Sequence, residues 1–168
     1  MKKLFALFVL CLFLLPTTAQ ALDYKAWLPI LPDTVAGMAR SGEPQGMNME
    51  MGGQGWSSAS QEYASKDHKK TLTFSVMAGM GSPQVQGYQA MATMAMQMET
   101  GDEIVKTVTV SGYKGMLTLD KKDNSGTLVI YLRNDMVAVL HAEPATQESH
   151  LTELAQQLPL SKFAAAAK

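Results

Sequence analysis

The chain has 168 residues, 14 of them Lys or Arg and 15 Asp or Glu, and 46% are hydrophobic. A chain of this order buries about two thirds of the surface its unfolded form exposes, enough for one domain with its own core. The near-zero charge and the lack of a Lys/Arg stripe argue against nucleic acid and against an anionic membrane surface as partners.

Lys2 and Lys3 precede an apolar run over residues 4–15, and Ala19-Gln20-Ala21 supplies a small-x-small site directly after it. This is the pattern of a secretory signal peptide, so residues 1–21 are expected to be removed and the protein to be periplasmic or secreted. The run is far short of the roughly 20 apolar residues that span a bilayer as a helix, so no membrane insertion is expected after cleavage. Cys11, the one cysteine, lies inside the run and lacks the small residues that precede a lipidated cysteine. The mature chain would hold no thiol, and loss of Lys2 and Lys3 widens its acidic excess from one to three.

Residues 24–31, with Trp27, Leu28, Ile30 and Leu31, predict a short helix packed as a lid and stopped by Pro32-Asp33. Residues 37–55 are rich in Gly and polar side chains and predict a loop or weakly paired ribbon around Met47, Met49 and Met51. Alternation over 56–64 and 70–77 predicts a hairpin with Leu72, Phe74 and Val76 on one face and a polar turn at 66–69. Ser82-Pro83 opens a helix predicted over 83–98, with Met91, Met94 and Met98 on one face that a sheet would cover.

Four more strands are predicted at 103–110, 114–119, 127–133 and 136–142. If Asn134-Asp135 is a two-residue turn, Leu128, Ile130 and Leu132 share a face with Val137, Val139 and His141. A last helix is predicted over 146–158, with Leu151, Leu154 and Leu158 at helical spacing, Pro159 ending it and residues 164–168 fraying. The whole predicts an α+β domain over 22–163, an antiparallel meander of about six strands with helices covering its faces.

The segments Leu31-Pro32-Asp33-Thr34-Val35-Ala36-Gly37-Met38, Ser111-Gly112-Tyr113-Lys114-Gly115, Ser125-Gly126-Thr127-Leu128 and Arg133-Asn134-Asp135-Met136-Val137 resemble those of small exported prokaryotic proteins of unassigned function. Their layout is similar to the PsbP/Mog1-like α/β/α sandwich. That resemblance implies the fold over about residues 28–163 and an accessory or binding role, and it brings no catalytic residues with it.

The chemistry-bearing residues form no recognised motif. His68, His141 and His150 are dispersed, and no His-Glu-x-x-His, Gly-x-Ser-x-Gly, P-loop or dinucleotide fingerprint is present. An enzyme is therefore not expected, and a hydrolase is a remote alternative. The 13 methionines are the unusual feature. Met47, Met49 and Met51 alternate in a stretch where no apolar periodicity demands them. Two readings follow: an apolar edge packed on Trp56 or the first helix, or three thioethers for Cu(I) with His68 as a fourth ligand. A third reading makes the Met-rich segment, with Trp27 and Trp56, an adaptable surface for an apolar ligand or a partner protein of the envelope. The leading expectation is an exported, non-enzymatic binding or accessory protein without a cofactor, and a periplasmic Cu(I)-binding protein is the alternative.

Overall fold

The computed structural model describes residues 23–167; the predicted signal peptide lies outside the described residues. Period-two alternation dominates, so the described chain is mostly strand: β1 (Thr34–Val35), β2 (Met38–Arg40), β3 (Gln45–Met51), β4 (Gln54–Ala64) and β5 (Thr71–Ala78). After helix α1 (Pro83–Ala92) come β6 (Gln97–Glu99), β7 (Glu103–Val110), β8 (Tyr113–Asp120), β9 (Ser125–Arg133) and β10 (Met136–Glu143). Helices α2 (Glu148–Gln156) and α3 (Leu160–Ala166) close the fold.

All ten strands join one sheet in the order β1-β2-β4-β5-β10-β9-β8-β7-β6. β3 pairs with the outer edge of β4 further along from β2, and every pairing is antiparallel. This corrects the expected six-stranded α+β domain with helices over both faces: the protein is mostly β and its helices are short. Two segments make the difference. The ribbon at 45–51 is a full strand, because Gly52 and Gly53 take positive φ (60° and 76°) and turn the chain back into β4. The predicted helix over 83–98 stops at Ala92, whose carbonyl accepts from Lys114 Nζ at 3.0 Å. Beyond it, Thr107 holds the chain from both sides: Met96 N–H donates to Thr107 Oγ1 at 3.0 Å, and Thr107 N–H donates to the Met96 carbonyl at 2.9 Å. Residues 97–99 consequently become an edge strand.

One face of the sheet carries the main core. Leu72, Phe74, Val76, Leu117, Leu128, Ile130, Ala138 and Leu140 are buried there against Leu151 and Leu154 of α2, Phe163 of α3, and Trp27 and Leu31 of two N-terminal 3₁₀ turns. Phe74 and Phe163 meet with ring centroids 5.3 Å apart, tilted by 56°. A side chain buried this completely contributes about 1.5–3 kcal/mol. The lid expected at 24–31 is thus real, as two 3₁₀ turns rather than one helix. Tyr24 presses on Gly46 so closely that a Cβ there would overlap its ring.

Residues 164–167 are docked rather than frayed, and Lys168, the last residue of the expected frayed tail, lies outside the described residues. α3 runs to Ala166, Ala167 is 3% exposed, and Arg133 donates to the carbonyls of Ala164 and Ala167 while pairing with Asp135 at 2.9 Å. The β9–β10 hairpin also departs from expectation. Met136 stands opposite Arg133, but Val137 stands opposite Tyr131, so Leu132 is the extra residue of a bulge. That slip exchanges partners. Leu128 and Ile130 share the core face with Ala138 and Leu140, while Val137, Val139 and His141 join Val129 and Tyr131 on the other face.

Candidate binding face

The second face is built on the side chains that alternate away from the main core. α1 lies across it, started by Ser82, whose Oγ accepts from the Val85 N–H at 3.3 Å, with Pro83 in the first turn. Val85 is fully buried against Met77, Val129 and Val137, with Tyr88, Tyr131 and Val139 around them. This is a small cluster, and one ten-residue helix covers only part of the face. Burial and the neighbouring Tyr88 raise the pKa of the Tyr131 phenol.

The uncovered flanks of α1 carry methionine. Met91 is 36% exposed, Met94 50% and Met98 44% on one flank; on the other, Met47 is 42% exposed, Met49 39% and Met80 48%. Among the described residues these six are the exposed large hydrophobic side chains. The expectation that Met91, Met94 and Met98 are core is therefore corrected. With the helix ended at Ala92, Met94 falls in the connection to β6 and Met98 on the edge strand, so nothing brings them under the sheet. Surface helices of soluble proteins normally carry charges on their outward side. α1 has none, and no charged residue occurs anywhere between Lys70 and Glu99. That uncharged stretch is the sequence signal from which an exposed apolar face could have been read.

The predicted site residues are partly gathered. Met47 and Met49 lie on one strand with their side chains alternating to this face, paired with Ser58 and Trp56. Met51 belongs to the same strand and pairs with Gln54. Trp56 is half-buried between β3 and the β5–α1 connection. His68, exposed in the β4–β5 turn with φ 56°, is not part of the group. From Trp56 the strand runs eight residues to Ala64 before that turn begins, about 27 Å at the rise of an antiparallel strand. Trp27 is 1% exposed in the main core, so it offers no surface to a ligand.

No periodicity in the sequence places Met80 in this company. Its neighbours Gly79 and Gly81 both run against β4: a Cβ on Gly79 would come within 2.6 Å of Trp56 Cα, and one on Gly81 within 2.7 Å of the Gln54 carbonyl oxygen. Gly79 also has φ 111°, so glycine is required there on two counts. These glycines bring the Met80 backbone alongside Trp56.

The same face holds a shallow cleft of about 280 Å³ lined by Glu62, Tyr63, Thr73, His141 and Glu143 among others. His141 Nδ1 lies 3.0 Å from Thr127 Oγ1 and its Nε2 3.1 Å from Glu143 Oε1. A hydroxyl, an imidazole and a carboxylate stand here in the order of a nucleophile, a base and its orienting group. Acyl transfer also needs N–H donors aimed at a developing oxyanion. Here Thr127 and His141 sit mid-strand with their main chains committed to the β8–β9–β10 ladder.

No protein-family model, no curated protein and no solved structure matches the chain.

Proposed function

We infer that this is an exported, non-enzymatic binding protein of the cell envelope, and that its methionine-bearing face receives an apolar segment of a partner protein. The observation that carries the reading is the confinement of the six exposed large hydrophobic side chains among the described residues, each a methionine, to the two flanks of one uncharged helix. Unbranched thioether side chains repack at little cost, so such a surface accommodates apolar partners of differing shape. Scattered apolar residues on a surface need no explanation, whereas a grouped set marks a contact site. Export rests on the signal peptide read from residues 1–21.

The test is fluorescence anisotropy with labelled, uncharged apolar peptides and charged peptides of equal length. Saturable binding of the apolar set is expected, and it should be lost when Met47, Met49, Met80, Met91, Met94 and Met98 are all replaced by Gln. Absence of saturable binding, or equal binding by the Gln variant, would remove the reading.

A further inference from the structure

We propose that the flank of this face around Trp56 is a Cu(I) site whose ligands are the thioethers of Met47, Met49 and Met80. This rests on the reading of the exposed methionines as binding residues and names the ligand of one end of that face.

Three observations carry it. First, Met47 and Met49 alternate on one strand, which spaces them by about 7 Å, and Met49 stands directly opposite Trp56. Gly79 and Gly81 press the Met80 backbone against the same stretch of β4 from the other side. The three side chains therefore start from backbone positions on the two sides of Trp56, and each is more than a third exposed and unbranched.

Second, the donors around Trp56 include no carboxylate and no imidazole. The register places Gln45, Met47, Met49 and Met51 of β3 and Gln54, Ser58 and Ser60 of β4 around Trp56 on this face, none of them a carboxylate or an imidazole. Glu50 alternates to the opposite face with Asn48, and Asn48 is occupied by Asp23, Tyr24 and Ser57. Soft thioethers accompanied by neutral amide and hydroxyl oxygens, with no carboxylate or imidazole, favour Cu(I) over Zn(II), Ca(II) or Mg(II). Third, an aromatic face within reach of a cation whose ligands carry no charge adds a favourable cation–π contact, strongest for tryptophan. Binding involves no electron transfer: copper enters and remains as Cu(I), and the thioethers lose no proton. Met80 thus takes the place expected of His68.

The experiment titrates the full mature protein with ascorbate-reduced Cu(I) in competition with bicinchoninate, reading the absorbance of the chelator complex and the emission of Trp56. One Cu(I) per chain should leave the chelator, with quenching of the half-buried Trp56 indole. The Met49→Leu/Met80→Leu variant should bind more weakly by more than the roughly 10-fold that loss of an outer-shell partner costs. Met91→Leu/Met94→Leu and His68→Ala should bind as wild type does. Wild type that withdraws no copper, a Met49→Leu/Met80→Leu variant equal to wild type, or loss of copper on His68→Ala would overturn the site. Leucine preserves apolar volume, so peptide binding should survive in both leucine variants. Failure of copper alone removes this site, and failure of copper and peptide together removes the binding face as well.

Discussion

Met49 stands opposite Trp56 across the β3–β4 pair, while Trp27 is 1% exposed beneath the other face. The two tryptophans of the chain therefore report on opposite sides of one sheet. Acrylamide should quench Trp56 and leave Trp27 almost untouched. In Trp56→Phe the remaining emission should be blue-shifted and nearly unquenchable. A quenchable residual signal would place Trp27 outside the core.

Burial separates the residues whose truncation matters. Ile130 is 0% exposed between α2, α3 and the sheet, so Ile130→Ala should cost about 2–5 kcal/mol in urea melts. Met94 is 50% exposed, and Met94→Ala should change stability by no more than about 0.5 kcal/mol. A large loss at Met94 would mean that it packs after all.

The docked C-terminus hangs on one guanidinium. Arg133 holds the carbonyls of Ala164 and Ala167, so Arg133→Ala should cost about 1 kcal/mol and speed amide exchange in α3 before it affects α2. Unchanged exchange over residues 160–167 would show that Leu160 and Phe163 hold the helix unaided.

The Tyr63 phenol donates to the Pro32 carbonyl at 2.9 Å, and burial pushes its pKa up to about 12. An unfolded tyrosine ionises near pH 10. A raised folded value means that the folded state favours the protonated form. The contribution is therefore whole below about pH 10 and is lost as the pH climbs from about 10 to 12. Wild type should exceed Tyr63→Phe in stability by about 1 kcal/mol at neutral pH, and the gap should close across that window. A gap that stays constant would contradict the raised value.

Where local pattern decided structure, the sequence was readable. The alternation of Leu72, Phe74 and Val76 and of Leu128 and Ile130 placed strands and core side chains correctly, and Leu151 and Leu154 placed α2. It misled where a long-range contact decided. Nothing in the Met91, Met94 and Met98 spacing shows that Thr107 will capture the Met96 backbone and convert the helix end to an edge strand. Likewise, nothing near Asn134-Asp135 announces that Leu132 will bulge, which moved Val137 and Val139 to the face opposite Ile130. Of the site, the alternation of Met47 and Met49 was legible. The arrival of Met80 depends on glycine packing against β4, and the removal of His68 depends on the length of β4, both of which are tertiary facts.

The central claim is that the methionine-bearing face is where this protein meets its partner. It is tested most directly by placing a photo-crosslinking amino acid singly at Met49, at Met94, or at Lys162, which is exposed on α3 beyond the opposite face. Each variant is irradiated in the cells that make the protein natively. Positions 49 and 94 should give the same discrete covalent adduct and position 162 none. Adducts from Lys162 alone, or equal adducts from all three positions, would contradict the assignment of this face.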